Sequence, residues 1–177
     1  MDEALFRVLN GTYETADLWW GLFDNPSIIA IFVVGVAAAS WLAGERRYLL
    51  PALIAVGICD LTCARVLKPT FDRARPCAVL DEVTMRPARG DSPCGSGRSM
   101  PSCHAANSAA LAAALGSPAL AAVSLATGLS RVATGQHWPS DVVAGWAMGK
   151  SDKAPETATI GWKSVAAGPG EASKRSS

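Results

Sequence analysis

Long apolar segments alternate with short polar ones along the first half of the chain. Residues 27–44 carry no charged side chain and are followed by Glu45, Arg46 and Arg47, a pattern that indicates a membrane helix ending at water. A second apolar segment, 48–67, is also about as long as the ~20 residues that cross a bilayer core. We therefore expect a membrane protein.

Two charged residues, Asp60 and Arg65, interrupt the second apolar segment. Charges are costly in lipid, so we expect both side chains to face the interior of a helical bundle or to lie near an interface. Asp60 has two candidate ion-pair partners, Arg65 and Lys68, and it could instead cap local polar groups. The sequence does not choose between these alternatives.

The second half of the chain predicts a loop and three further helices. Residues 69–101 are polar and rich in Pro, Gly and Arg, which predicts an extramembrane loop. Residues 105–129 are rich in alanine and are interrupted by Gly-Ser-Pro at 116–118, which predicts a helical hairpin. Pro139 is expected to begin a short last helix, because proline suits the first helical turn.

These patterns divide the chain into three parts. Residues 1–25 mix apolar residues with acids and predict an interfacial amphipathic segment, whose acidic start is unlike a signal peptide. Residues 26–149 predict one membrane domain, an all-α, multi-pass transmembrane bundle of about five spans. Residues 150–177 have few large apolar side chains and predict a disordered tail.

Composition and charge exclude one class of function and indicate where the protein is located. Half of the residues are hydrophobic, 18% are charged and the net charge is +1, so the chain lacks the basic footprint of a nucleic-acid-binding protein. Arg46 and Arg47 lie in a short loop, which favours the cytoplasm and places the 69–101 loop outside. We therefore expect a plasma-membrane protein, inner membrane in a Gram-negative cell, with its active site facing the outside or periplasm.

The five cysteines have no spacing typical of a zinc site, and we predict no metal. In an outside, oxidising loop we expect Cys77 and Cys94 to form a disulfide rather than to remain two unrelated thiols. Cys59 and Cys63 are expected to pack between helices.

Three polar segments lie at the same ends of the predicted helices: 68–76 (KPTFDRARP), 101–104 (PSCH) and 130–141 (SRVATGQHWPSD). The topology brings them together at one membrane surface, where their cations suit a phosphate group. If the chain after Lys68 is helical, Arg75 shares its face two turns later. The candidate phosphate-binding residues are Lys68, Arg75, Ser102, Cys103 and Arg131.

The two histidines of the chain both lie in these segments. An imidazole can attack phosphorus when a carboxylate fixes its tautomer, and His137 and Asp141, four residues apart, can form that pair. His104 then protonates the leaving oxygen and later activates water. An isolated pair of this kind is more often structural, and the other two motifs favour catalysis. Arg73 is interpreted as an interfacial anchor.

The three segments resemble the signature of the type 2 phosphatidic acid phosphatase and vanadium haloperoxidase superfamily: Lys-x6-Arg-Pro, Pro-Ser-Gly-His and Ser-Arg-x5-His-x3-Asp. The resemblance implies a helical bundle with His137 as nucleophile, Asp141 as its partner and His104 as general acid. It also assigns phosphate binding to Lys68, Arg75, Ser102 and Arg131. Cys103 departs from the pattern, because it replaces the usual glycine.

The resemblance implies hydrolysis of a phospholipid or an isoprenyl phosphate or pyrophosphate through a phosphohistidine intermediate, without a metal or cofactor. A vanadate-dependent haloperoxidase is one alternative, which the apolar segments disfavour. The other is a non-catalytic phospholipid-binding membrane protein, suggested by Cys103 and by a last helix of about 11 residues, short of a full span. The expected partners are lipid substrate and membrane lipids, and the sequence does not indicate an oligomeric state.

Overall fold

The computed structural model describes residues 1–11, 13–85, 94 and 97–151, apart from the side chains of Tyr13 and Ser151. These residues form helices and turns, with no strand among them. The helices are α1 (Asp2–Leu9), α2 (Tyr13–Phe23), α3 (Pro26–Leu42), α4 (Leu49–Thr62), α5 (Lys68–Phe71), α6 (Pro76–Val79), α7 (Cys103–Leu115), α8 (Pro118–Ala133) and α9 (Pro139–Ser151). The fold is therefore all-α, as the sequence predicted.

Residues 49–71 form one continuous helical run, because a π-helical turn, Cys63–Leu67, connects α4 to α5. The prediction that a loop begins at residue 69 was therefore wrong by three residues. The helical run ends where Asp72 adopts a left-handed backbone conformation (φ 43°). The predicted disordered tail lies outside the described residues, except for its first two positions.

Local signals in the sequence explain where several helices begin. Asn25 precedes Pro26, and its side chain accepts a hydrogen bond from the backbone N–H of Ser27 (3.0 Å), which caps α3. Ser117 caps α8 in the same way before Pro118. Since α7 ends at Gly116 with φ 60°, the predicted hairpin with its turn at 116–118 is confirmed.

The central helix of the bundle is α7, which packs against α4, α8 and α9. Small residues allow α9 to approach α7 closely. A Cβ atom on Gly145 would lie 2.5 Å from the carbonyl oxygen of Ser102, and one on Gly149 would overlap the carbonyl oxygen of Ala106. Close packing of small residues is a common way for helices to associate in membranes, where burial of apolar surface contributes little.

Among the described residues, one segment, Arg46–Val79, is long and apolar enough to cross a membrane. Helices α2 and α3 meet the same criterion together, although they are bent by 45° relative to each other. Helix α8 is a shorter apolar helix. By this criterion the described residues contain one candidate span, or two if the bent pair counts as one. The sequence analysis predicted about five spans, and that number stays a prediction.

Four cysteines form two disulfides. Cys77 is bonded to Cys94, with Cα atoms 5.7 Å apart, which is the pairing expected from the sequence. Cys63 is buried, as expected of a residue that packs between helices. It is also bonded to Cys103, with Cα atoms 5.8 Å apart, a pairing that the sequence did not predict. This second disulfide joins the π-helical turn to the first residue of α7. Cys59 is buried and takes part in neither disulfide.

We predict that Gly145→Ala lowers the thermal unfolding temperature in detergent, because its Cβ must push α9 away from α7. Overpacking of this kind typically costs about 1–3 kcal/mol. Gly57→Ala is the matched control: no atom lies within 4 Å of a Cβ placed on Gly57. Alanine is favoured over glycine in helices by about 1 kcal/mol, so the control should unfold at the same temperature or higher. An equal fall in the unfolding temperature of both variants would contradict the argument that α9 and α7 are closely packed at Gly145.

The cysteine pairing predicts one reactive thiol in the unfolded, unreduced chain. Alkylation in denaturant without reductant, followed by mass mapping, should label Cys59 alone and recover Cys63 linked to Cys103 and Cys77 linked to Cys94. A Cys63→Ser variant should expose Cys103 as a second labelled thiol. Recovery of Cys63 and Cys103 as free thiols in the wild type would contradict the first pairing.

Candidate active site

Backbone hydrogen bonds join the second and third sequence motifs. The N–H of Ser102 donates to the carbonyl of Asp141 (3.0 Å), which brings the first turns of α7 and α9 together. The N–H of His137 donates to the carbonyl of Arg131 (3.1 Å), so the loop between α8 and α9 folds back over the end of α8. The chain thus holds the two histidine-containing segments at one end of the bundle.

Asp141 lies at the centre of this end of the bundle, and its side chain is fully buried. One carboxylate oxygen, Oδ2, accepts a hydrogen bond from the backbone N–H of Trp138 (2.8 Å). The same oxygen lies 3.6 Å from Nδ1 of His137, just beyond hydrogen-bond distance. The other oxygen, Oδ1, accepts from Nη1 of Arg73 (2.9 Å). A buried carboxylate is stable only with such partners.

His137 is also buried, with 3% of its surface exposed. Burial lowers its pKa to about 4; the neighbouring Asp141 carboxylate opposes this shift and Arg75 adds to it. The imidazole is therefore neutral near pH 7 and keeps a nitrogen lone pair available for reaction.

Arg73 is part of the site, so its interpretation as an interfacial anchor was wrong. Its guanidinium bonds Asp141 through Nη1 and Asp2 through Nη2 (2.6 Å), and it lies 5.0 Å from the centre of the Trp138 ring. The side chain is 30% exposed. Arginine suits this position because its planar, forked donors can hold two carboxylates at once.

The N-terminal helix α1 supports the site through Asp2, a role that the interfacial interpretation of residues 1–25 did not include. Asp2 accepts hydrogen bonds from the backbone N–H (3.1 Å) and the hydroxyl (2.5 Å) of Ser140. Burial raises the pKa of Asp2, but the bonds from Ser140 and Arg73 outweigh this effect and leave it below its usual value. Phe6 of α1 is fully buried against Trp138.

His104 and Arg131 share an acidic neighbour, Asp24, that the sequence analysis missed. Asp24 Oδ1 accepts a hydrogen bond from Nη1 of Arg131 (2.6 Å) and lies 3.6 Å from Nε2 of His104. Arg131 is 2% exposed, and its Nε and Nη2 donate to the hydroxyl of Ser130 (3.0 and 2.9 Å). The available signal was an acid next to Asn25-Pro26, a helix start, between two apolar segments.

The other predicted phosphate-binding residues lie near the histidines. Lys68 interacts electrostatically with His104, His137 and Arg75. Arg75 donates to the backbone carbonyl (3.1 Å) and side-chain oxygen (2.8 Å) of Gln136. The prediction that Lys68 and Arg75 share a helix face was wrong, because α5 ends before Arg75, which has extended backbone geometry.

Ser102 and Cys103 form the start of α7. The Ser102 side chain accepts from the N–H of Ala105 (3.5 Å) and caps the helix, whose first free N–H groups favour an anion. Cys103, in the glycine position of the motif, is tied to Cys63 by the disulfide described above. Within the part of the chain that the structure describes, no three His, Cys, Asp or Glu side chains are grouped as metal ligands.

An apolar groove of about 470 Å³ has His104 in its wall and is lined by residues of α2, α3, α4, α7 and α8. Its walls are mostly large apolar side chains, including Phe23, Phe32, Val33, Val56 and Leu111. Cys103, Asp60 and Asn107 also line it. A groove of this size and lining can hold an alkyl chain next to the polar site.

We compared the sequence and the fold of this chain with those of known proteins. No curated protein matches the chain by sequence. A solved structure of a transmembrane PAP2-type phosphatidylglycerolphosphate phosphatase from Bacillus subtilis is similar, with a TM-score of 0.62 and 20% identity over 93% of this chain and 85% of that one. The structure of LpxE from Aquifex aeolicus is also similar, with a TM-score of 0.58 and 19% identity over 90% of this chain and 93% of that one. The fold is therefore that of the transmembrane PAP2-type bundle.

The sequence itself matches the family model of the PAP2 superfamily over residues 46–151, which is more than half of the chain and includes all three motifs. The chain belongs to the PAP2 superfamily.

Proposed function

We propose that this protein hydrolyses the phosphate or pyrophosphate group of a membrane lipid through a phosphohistidine intermediate. The observation that carries the proposal is the buried imidazole of His137, whose Nδ1 lies 3.6 Å from the buried carboxylate of Asp141, at the end of the bundle that also holds His104, Lys68 and Arg131. A nucleophile, a second histidine and phosphate-binding cations are the groups that this chemistry requires.

In the first step, Nε2 of His137 attacks phosphorus and the bond from phosphorus to the lipid oxygen breaks. Asp141 lies on the Nδ1 side of the ring, so it holds the Nδ1–H tautomer and stabilises the positive charge that develops on the imidazole. Burial lowers the pKa of His104 to about 4, so this residue must gain a proton when the substrate binds; the bound phosphate and the Asp24 carboxylate, 3.6 Å from Nε2, both favour the imidazolium. His104 then gives this proton to the leaving oxygen, and the lipid departs as an alcohol or, from a pyrophosphate, as a monophosphate.

In the second step, His104 takes a proton from water as the water oxygen attacks the phosphorus of the phosphohistidine. The P–N bond breaks, the electron pair returns to His137, and inorganic phosphate leaves. Throughout both steps, Lys68, Arg75, Arg131 and the backbone N–H groups at Cys103 and His104 are proposed to hold the phosphoryl oxygens. These steps need no metal or cofactor.

The apolar groove beside His104 supports a lipid rather than a soluble phosphate ester as substrate. The structural neighbour from Bacillus subtilis is a phosphatidylglycerolphosphate phosphatase, which makes this lipid one natural candidate. We propose the outer face of the plasma membrane as the location. The disulfide between Cys77 and Cys94 supports an oxidising compartment on that side.

The proposal predicts phosphate release by the detergent-solubilised protein in the presence of EDTA. Phosphatidate, phosphatidylglycerophosphate and isoprenyl pyrophosphate form the substrate panel. His137→Asn should lower the rate at least about 10³-fold, because no nucleophile remains. In the wild type, brief exposure to ³²P-labelled substrate followed by quenching should trap an acid-labile, alkali-stable label on His137.

His104→Asn provides the mechanistic control. With p-nitrophenyl phosphate, whose leaving group needs no proton, this variant should still form the labelled enzyme but should hydrolyse it slowly, so that label accumulates. Label in the His137→Asn variant would contradict the assignment of the nucleophile. A folded wild type that binds these lipids without releasing phosphate would support the non-catalytic alternative, and bromide oxidation with vanadate would support the haloperoxidase alternative.

Arg73 is predicted to be a positioning residue that acts through Asp141. Arg73→Leu should lower kcat by about tenfold or more while KM changes little, because a tilted imidazole reacts more slowly in an otherwise intact phosphate site. Arg98→Leu is the matched control, since Arg98 forms an exposed ion pair with Asp72 rather than with Asp141 and should contribute little. Equal kinetics in the two variants, or a change in KM alone, would refute this role.

A further inference from the structure

Asp60 places a carboxylate in the apolar groove. It lies in α4, in the segment long enough to cross a membrane, and its side chain is exposed in the described structure. Of the partners suggested by the sequence, Lys68 interacts with Asp60 electrostatically but donates no hydrogen bond to it. The hydrogen-bond donor is Asn107 of α7, from Nδ2 to Oδ1 (2.7 Å). A charge at such a position is costly in lipid, which is a reason to look for a function.

The Asp60–Asn107 pair leaves acceptor atoms without donors. Asn107 Oδ1 is buried and has no hydrogen-bond partner within the described residues. Rotation of the amide by 180° does not solve this, because it would place Oδ1 against the carboxylate, two acceptors together. Asn107 also uses only one of the two carboxylate oxygens of Asp60. What both side chains lack is a donor, and a ligand that supplies an O–H or N–H satisfies them.

The pair lies at a defined distance from the reacting end of the groove. Asn107 follows His104 by three residues in α7, so the two side chains share a face and are separated by about 4.5 Å along the helix axis. Both line the groove. A lipid whose phosphate lies at His104 therefore presents to Asn107 the atoms that are two or three bonds from the leaving oxygen.

We infer that Asp60 and Asn107 select lipid phosphates that carry a hydrogen-bond donor, a hydroxyl or an amide N–H, on the carbon next to the phosphate-bearing carbon. This inference rests on the proposed function and narrows its substrate class. Glycerol phosphates with a neighbouring hydroxyl and phosphates of N-acylated amino alcohols or amino sugars have such a donor. Isoprenyl phosphates and diacylglycerol phosphates have none there, and they leave the two acceptors unpaired.

Two pairs of substrates test the inference, one for each donor. The hydroxyl arm compares 1-acyl-glycerol 3-phosphate with its 2-deoxy analogue. The amide arm compares phosphatidate with an analogue in which an amide replaces the ester at the neighbouring carbon. In mixed micelles, kcat/KM of the wild type should favour the donor-bearing member by at least about tenfold in one arm or both, and the arm with the larger ratio identifies the donor.

The variant Asp60→Leu/Asn107→Leu removes both acceptors together, so that neither side chain is left unpaired in the groove. Its substrate ratio should fall to near one, whereas Asp81→Leu, an exposed control outside the groove, should keep the wild-type ratio. Wild-type ratios near one in both arms, or a high ratio retained by the double variant, would overturn the inference while leaving the phosphatase proposal intact. Phosphate release from isoprenyl pyrophosphate but from none of these four substrates would overturn the inference alone. Absence of release from the four substrates and from the whole panel named above would overturn both.

Discussion

The buried carboxylate of Asp141 is the group on which the rest of this end of the bundle depends. An ionised carboxylate without contact to water must be compensated by donors and cations. Its donors are the backbone N–H of Trp138, just before α9, and the guanidinium of Arg73, after α5. Arg73 in turn binds Asp2 of α1. Helices distant in sequence are thus held around one charge, and the imidazole of His137 lies beside it.

The packing of the helices also holds the start of α7 next to Asp141. Gly145 lets α9 approach Ser102 of α7, and the backbone bond from Ser102 to Asp141 forms at this contact. The disulfide between Cys63 and Cys103 adds a covalent link from the first residue of α7 to the π-helical turn after α4. The residue that replaces the family's glycine therefore carries a cross-link next to His104. Close packing and the cross-link both restrict movement of the helix start that would face the phosphate.

The residues of the three motifs could be found from the sequence because their spacing is local and their chemistry is specific. The hairpin turn at 116–118 was equally accessible, since proline and glycine act on the backbone nearest to them. Asp2 and Asp24 could not be found in this way. Asp2 bonds Ser140 across 138 positions and Asp24 bonds Arg131 across 107, and only the folded chain brings such residues together.

The orientation of Arg131, a motif residue, depends on two neighbours, Ser130 and Asp24. The Ser130 hydroxyl accepts from Nε and Nη2, which fixes the plane of the guanidinium, while Nη1 is bonded to Asp24. A phosphate that binds Arg131 through Nη1 must share that nitrogen with Asp24 or displace it. Because Ser130 holds the remaining nitrogens, the guanidinium keeps its orientation during this exchange. If Arg131 binds phosphate as proposed, the site gives up some affinity wherever the phosphate displaces Asp24, because an ion pair is broken, and it gains a cation that is already oriented.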